Sequence, residues 1–229
     1  MEGIKAFLTR KNIEISAKRY GIDALGAMAQ GLFASLLIGT IINTVGTQFG
    51  IGFLTQAVVT VGSGEKAVAY TVGGLASAMS GPAMACAIGY ALQAPPLVLF
   101  SLITVGFASN ALGGAGGPLA VLFVAILAAE AGKAVSKETK IDILVTPLVT
   151  IFVGVALSAW WAPAIGKAAS SIGGIIMWAT ELQPFFMGIV VSVIIGVALT
   201  LPISSAAICA ALGLTGLAGG AAVAGCCAQ

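Results

Sequence analysis

The side chain most suited to chemistry is Glu181, the only acidic residue between Asp142 and the last residue of the chain. Its neighbours are apolar, and a carboxylate at bilayer depth costs roughly 2.5–3.5 kcal/mol, so it should face a polar cavity or a partner. Pro184 follows closely, and a proline leaves nearby backbone carbonyls without helical hydrogen bonds. These residues predict a solute-binding corner. The alternative is that Glu181 lies at the water interface near Trp178.

Uncharged polar residues could add hydrogen-bond partners for a neutral solute. We expect the substrate-binding set to contain, besides Glu181, the following residues: Thr180, Gln183, Asn110, Gln93, Gly113, Gly114, Ser204 and Ser205. The alternative for the amides and serines is hydrogen bonding between helices, which would serve packing alone. Glu130 and Lys133 form a close charge pair at the start of a hydrophilic segment, and we expect this pair to be solvated.

The sequence shows no set of residues suited to metal binding, cofactor binding or acid–base catalysis. The chain contains no histidine, and its four cysteines lie in apolar surroundings without C-x-x-C spacing, so zinc and haem have no ligand set. General acid–base catalysis needs two positioned titratable groups, and one isolated glutamate does not supply them. We therefore expect no catalytic residue, no metal, no cofactor and no enzyme that acts alone.

The chain that must position these residues is too apolar for a water-soluble fold. Of its 229 residues, 59% are hydrophobic and 8% are charged, and the mean hydropathy is +1.10. Residues 67–129 and 182–229 form uncharged runs of 63 and 48 residues, whereas a helix needs about 20 apolar residues to span a bilayer. The composition predicts an all-α fold, a polytopic transmembrane helical bundle.

The first 23 residues mix apolar and basic side chains, which is typical of an amphipathic helix on the cytoplasmic membrane face. The basic residues are Lys5, Arg10, Lys11, Lys18 and Arg19. Because they precede the first apolar segment, they indicate a cytoplasmic N-terminus and not a nucleic-acid partner. Membrane lipid is the partner that this segment predicts.

Residues 24–135 are predicted to form a first membrane repeat. We expect a span at 24–45, a short interfacial helix within 46–64, and a second span at 67–92 that Pro82 kinks. Two shorter apolar halves follow at 96–109 and 118–129, joined by a glycine-rich link. They predict a re-entrant hairpin or broken helix; the alternative is two ordinary short spans joined by a flexible turn.

Residues 141–229 are predicted to form a second, incomplete repeat. We expect a span at 143–163 that ends in Trp160 and Trp161, an interfacial link at 164–174, and an apolar helix at 185–201. The string IGYALQAP from Ile88 recurs as IGVALTLP from Ile195, an offset of 107 residues with five identities in eight. Duplicated architecture with interrupted helices is typical of carriers, whose binding site lies between the copies. The copies could be parallel or inverted.

Several strings resemble the bacterial membrane proteins classed as phosphotransferase-system IIC-like sugar transporter subunits. They are GPAMACAIGYALQAPPLVLF from Gly81, NALGGAGGPLA from Asn110, IDILVTPLVT from Ile141, WATELQPFFMGIVVSVIIGVALTLPISSAA from Trp178, and GCCAQ from Gly225. The resemblance covers nearly the whole chain. Members of that family usually continue past GCCAQ, so we expect a natural chain that is longer.

The resemblance implies a permease of the bacterial inner membrane, a homodimer, and a separate cytoplasmic subunit that phosphorylates the solute. Such permeases often bind the sugar with a glutamate beside a proline, and the nearest match here is Glu181 with Pro184. The spacing differs from the usual Glu-Pro, and the histidine of several sugar families is missing. These departures weaken the case for sugar phosphorylation more than the case for transport.

Two functions therefore remain open at this point. The first is a carrier that moves a small solute, a sugar in the resembling family, through a site between the repeats. The second is a membrane protein that binds a lipid or fatty acid in an apolar cavity, because the chain offers few of the polar groups that sugar sites normally present. A channel is disfavoured, since no filter-like motif occurs.

Overall fold

A computed structural model describes residues 2–63, 67–180 and 184–200 of the chain. Nine helices and two strands lie in these residues. They are α1 (Glu2–Arg10), α2 (Arg19–Phe49), α3 (Gly52–Thr55), β1 (Val59–Val61), β2 (Val68–Tyr70), α4 (Val72–Ala78), α5 (Ser80–Ala91), α6 (Pro96–Gly113), α7 (Gly117–Val135), α8 (Asp142–Thr180) and α9 (Pro184–Thr200). The predicted all-α class is confirmed.

Within the residues that the structure describes, four stretches of helix are long and apolar enough to cross a membrane: Arg19–Phe49, Pro96–Gly113, Gly117–Val135 and Asp142–Ser171. The bent pair α4 and α5 would make a fifth if it forms one span. At about 1.5 Å per residue, α6 and α7 are close to the roughly 30 Å of a hydrocarbon core. The chain is a multi-pass membrane protein.

The core lies between α5, α6 and α7, with α2 packed on one side and α8 on the other. Its fully buried side chains include Met84, Ile88, Leu102, Val121 and Val124. Helices α5 and α6 cross with their backbones in contact, because a methyl group on Gly81 would overlap the carbonyl oxygen of Gly106. Small residues at such crossings allow close van der Waals contact between the helices. This contact stabilises helix pairs in lipid, where the hydrophobic effect does not drive helices together.

Two predictions for the N-terminal part were wrong in their boundaries. The amphipathic helix ends at Arg10, and Arg19–Asp23 is already a π-helical turn at the start of α2. The short helix predicted within 46–64 is limited to the four residues of α3, because α2 continues to Phe49 and α3 is followed by an antiparallel hairpin that pairs Val59 with Tyr70. The valine-rich sequence explains the hairpin, since β-branched residues favour strands.

The kink predicted from Pro82 is confirmed. Helices α4 and α5 meet at Met79 at an angle of 49°. Proline has no N–H, and its ring crowds the carbonyl four residues earlier, which here belongs to Ala78, the last residue of α4. A second π-helical turn in α2, Phe33–Leu37, packs against both halves of the bent pair.

The two predicted short halves are longer than expected. Helix α6 has 18 residues and α7 has 19, and a 3₁₀ turn at Gly114–Gly116 joins them. Gly114 has φ +50°, a left-handed conformation that glycine adopts without steric cost. These lengths favour the alternative of two spans joined by a tight turn over a re-entrant hairpin.

The interfacial link predicted at 164–174 was wrong, because α8 is continuous from Asp142 to Thr180 through Pro147 and Pro163. Packing accounts for this: Gly166 lies against the backbone of Gly113, and Ile165 lies against Gly116. The second half thus lacks the interruption that the first half has around the β-hairpin. The proposed internal repeat is not confirmed.

Candidate functional site

The predicted substrate-binding residues do not form one cluster. Gln93 lies in the loop before α6, whereas Asn110, Gly113 and Gly114 lie at the other end of that helix, about 25 Å away by helix rise. The backbone of Thr180 ends α8. Glu181, Gln183, Ser204 and Ser205 lie outside the described residues, so their geometry is not part of the site described below.

Asn110 joins three helices. Its amide nitrogen donates to the Ser80 hydroxyl at 3.4 Å, and its side chain lies against the backbones of Gly81 on α5 and Gly117 on α7. A substituent on either glycine would collide with Asn110. These contacts favour the packing alternative for Asn110.

The structure instead gathers charged residues at one end of the bundle, where three connections meet. They are residues 11–18 before α2, residues 92–95 between α5 and α6, and residues 136–141 between α7 and α8. We call these segments, with the adjoining helix ends, the charged end. The turn Gly114–Gly116, with the part of α8 that it contacts, lies at the opposite end and is called the glycine end.

Lys133 is the centre of the charged end and is only 2% exposed. Its ammonium group donates to the carbonyl oxygens of Asn12 at 2.7 Å and Leu92 at 3.1 Å. It also forms an ion pair with Glu130 at 3.0 Å. The expectation that this pair is solvated was therefore wrong. The reason is that the carbonyl groups at the C-terminal end of α5 have no donor within the helix. The Lys133 ammonium group, in the last turn of α7, donates a hydrogen bond there.

A second cation serves the same helix terminus. The Arg19 guanidinium, 9% exposed, donates to the Leu92 carbonyl at 2.8 Å and to the Asn12 side-chain oxygen at 3.1 Å. The Tyr20 hydroxyl donates to the Glu130 carboxylate at 3.1 Å. The start of α2 is thereby bound both to the end of α5 and to α7.

Each of the three connections contains one non-glycine residue with a left-handed backbone: Asn12 (φ 54°), Gln93 (φ 54°) and Lys137 (φ 61°). Asn12 and Gln93 follow the ends of α1 and α5 in Schellman geometry, shown for α5 by the bonds Ala94 N–H to Gly89 O and Gln93 N–H to Tyr90 O. Glycine is the usual residue there. Here the two side chains hydrogen-bond to each other at 2.7 Å, which offsets the conformational cost.

All three left-handed residues line one cavity of about 440 Å³. Its walls are Arg10, Lys11, Asn12, Gln93, Pro95, Lys133, Ser136, Lys137 and Glu138. A second cavity of about 260 Å³ shares Gln93 and is lined by Glu14, Ser16, Lys18, Arg19, Asp23 and Ala91. Among the predicted site residues whose side chains the structure describes, only Gln93 lines these cavities, and it lines both.

Glu138 ties α1 to the connection between α7 and α8. Its carboxylate accepts a hydrogen bond from Arg10 at 2.6 Å and forms an ion pair with Lys11 at 2.5 Å. The hydrogen bond from Lys11, helped by the charge of Arg10, lowers the pKa of Glu138 below its usual value. The Lys11 ammonium also donates to the Ser136 carbonyl.

This arrangement holds the three connections together and lines two cavities with polar and charged groups. Most of its charges are neutralised by a partner or by a helix C-terminal carbonyl, and the described residues hold no group of three or more metal-ligating side chains. Sequence reasoning missed Arg19, Tyr20, Glu130 and Lys133. The sequence does show a Glu and a Lys three residues apart near the end of an apolar helix. A solvated pair on a helix has the same spacing, so the spacing alone did not indicate burial.

Comparison with known proteins provides one match. The family described as "Phosphotransferase system, EIIC" matches residues 22–229, which is nearly the whole chain and includes every predicted span. No curated protein and no solved structure matches. With its helices long and apolar enough to cross a membrane, the chain belongs to the phosphotransferase-system EIIC family, the membrane permease components of these systems.

Proposed function

We propose that this permease carries a small neutral sugar across the bacterial inner membrane and passes it to a separate cytoplasmic subunit for phosphorylation. The match to the EIIC family over residues 22–229 is the observation that carries the proposal. In this proposal the chain itself transfers no phosphoryl group. A homodimer is part of the same proposal, since it is implied by the family resemblance.

The charged end is proposed to face the cytoplasm. Seven of the eight Lys and Arg residues with described side chains lie there: Arg10, Lys11, Lys18, Arg19, Lys133, Lys137 and Lys140. The eighth, Lys167, lies in α8 beyond its contact with the glycine end. Excess Lys and Arg in short loops marks the cytoplasmic side. The phosphorylating subunit would approach from this side.

Solute binding is assigned in this proposal to Glu181 and its neighbours Thr180 and Gln183, with Ser204 and Ser205 as further polar candidates. A carboxylate can accept hydrogen bonds from two sugar hydroxyls, each worth about 1.5–3 kcal/mol because the acceptor is charged. Pro184 is the first residue of α9, where a missing N–H costs no helical hydrogen bond. Gln93 and Asn110 are left out, since one lines a cavity at the charged end and the other packs between helices.

The alternative of a lipid or fatty-acid carrier gains no support. It requires an apolar cavity, whereas the two cavities at the charged end are lined mainly by polar and charged residues.

Equilibrium binding of labelled neutral sugars to the purified full chain tests the proposal. Glu181→Gln should weaken binding of the preferred sugar by about tenfold or more. Glu14→Gln is the matched control, since the Glu14 side chain is 74% exposed, and it should leave affinity unchanged. Equal affinity of Glu181→Gln and the unsubstituted protein would remove Glu181 from the site, and no binding of any sugar would contradict the sugar assignment.

A further inference from the structure

The cavity of about 440 Å³ at the charged end has more positive than negative charge. Four cations line it, Arg10, Lys11, Lys133 and Lys137, against one lining carboxylate, Glu138. Glu130 lies behind the wall and pairs with Lys133. Asp142 is a third acid at this wall, because its carboxylate accepts a hydrogen bond from the Lys137 backbone N–H at 2.7 Å and lies within electrostatic range of Lys11 and Lys137. Counting all three acids, the formal balance is four positive charges and three negative charges, which leaves a surplus of one.

Some of these cations are already committed to the protein. Lys133 donates to two carbonyl oxygens and to Glu130, and Lys11 is held by Glu138 and the Ser136 carbonyl. They fix the walls of the cavity and supply a positive field, but they have few N–H groups left for a ligand. Their role is to hold the cavity open and charged.

Other donors at the cavity remain available. Among the described residues, the Lys137 ammonium group forms no ion pair within 4 Å, although the Asp142 carboxylate bound by the Lys137 backbone lies within electrostatic range. The Gln93 side chain accepts from Asn12 through its oxygen, so its amide nitrogen is a further donor at the cavity. Arg10 engages Glu138 through one of its nitrogens.

We propose that this cavity binds the oxyanion of a phosphate ester. A group with one negative charge neutralises the surplus, and several oxygens match the separate donors of Lys137, Gln93 and Arg10. Because the cavity lies at the end of the membrane spans, two kinds of molecule can supply the phosphate group: the headgroup of an anionic lipid and a soluble phosphate compound. Basic pockets between transmembrane helices at the cytoplasmic side are suited to anionic headgroups.

This proposal does not depend on the transport proposal, because the residues that line the cavity are not among those assigned to sugar binding. A protein that moves no sugar could still bind phosphate esters here, and the reverse also holds. The two proposals therefore succeed or fail in different experiments.

Two arms of one experiment separate the sources. In the first, inorganic phosphate is titrated into the detergent-purified full chain, with chloride at matched ionic strength as the reference, and the shift in unfolding temperature gives an apparent dissociation constant. In the second, the chain is exchanged into vesicles of phosphatidylcholine containing phosphatidylglycerol, re-extracted, and the lipid that stays bound is identified by native mass spectrometry.

Lys137→Gln should raise the apparent dissociation constant for phosphate by about fivefold, the size expected for one exposed charge contact. If the lipid arm shows binding, the same substitution should lower the amount of phosphatidylglycerol that stays bound. Lys140→Gln, a neighbouring exposed lysine that does not line the cavity, should have little effect. A response to phosphate alone identifies a soluble ligand, and selective retention of phosphatidylglycerol alone identifies a lipid. No effect in either arm, or equal losses in the two lysine variants, would overturn the proposal.

Discussion

At the charged end of the bundle, side-chain hydrogen bonds and ion pairs join three connections, with Lys133 and Arg19 converging on the Leu92 carbonyl. At the glycine end, α8 touches the α6–α7 turn through backbone contacts such as Gly166 with Gly113. The difference follows from the connections, since both ends lie where spans leave the hydrocarbon core. The longer connections at the charged end carry charged side chains that pair with one another, whereas the turn at the glycine end has only glycine and alanine, so close backbone contact between small residues holds the helices together.

The largest effect should come from removing the buried cation at the charged end. Lys133→Met keeps much of the side-chain volume but leaves Glu130 without its ion-pair partner and takes one of two donors from the Leu92 carbonyl. Loss of one partner from a buried pair costs about 3–5 kcal/mol of the free energy of unfolding, measurable by denaturant titration in detergent micelles. Lys140→Met is the control and should be nearly neutral; a loss below about 1 kcal/mol for Lys133→Met would mean that the cluster is solvated after all.

A smaller effect is expected for helix contacts that rely on glycine. Gly81→Ala forces a methyl group against the Gly106 carbonyl, with Asn110 also in the way, and overpacking of this kind costs about 1–3 kcal/mol. Gly26→Ala in α2 meets no atom within 4 Å, so it should be neutral or stabilise by up to about 1 kcal/mol. Thermal unfolding in detergent measures both. If the two variants behaved alike, the close approach of α5 and α6 would be disproved.

The smallest effect concerns pH and the attachment of α1. The pKa of Glu138 is lowered in the folded protein from its ordinary value of 4.5, so its pairing with Lys11 and Arg10 is fully present above pH 4.5. The attachment is lost as pH falls through the lower folded pKa. The hydrogen-exchange protection factors of residues 2–12, which correct the measured rates for the intrinsic effect of pH, should therefore fall below pH 4.5 in the unsubstituted protein. Glu138→Gln should exchange faster at neutral pH, with a weaker additional response to acid; identical pH profiles would contradict this role.

Much of the fold was predictable because hydrophobic runs report directly on membrane spans. The α2, α6, α7 and α9 regions and the kink at Pro82 follow from apolar length and from the missing N–H of proline. The continuity of α8 through Pro163 was not predictable, since it depends on contacts with Gly113 and Gly116 that are distant in sequence. The β-hairpin was missed because a membrane context favours helix for any apolar run.

The candidate site was harder to predict than the fold. Gln93 was identified as polar and near a proline, but its partner Asn12 is 81 residues away, and nothing in the local sequence connects them. Lys133 could not be recognised as buried, because its burial comes from residues 12–19 folding over the end of α7. Asn110 was predicted to lie in the glycine-rich link and to bind solute, whereas it lies within α6, and only its contacts with Ser80 and Gly117 indicate packing.

The most direct test of the central claim, that this EIIC permease carries a sugar by means of Glu181, is counterflow of labelled sugar. Vesicles that contain the full chain and are preloaded with unlabelled sugar should accumulate the labelled sugar transiently, without any phosphorylating subunit. The account predicts counterflow for at least one neutral sugar, its loss in Glu181→Gln, and its retention in Glu14→Gln. Absence of counterflow for every sugar, or undiminished counterflow in Glu181→Gln, would contradict it.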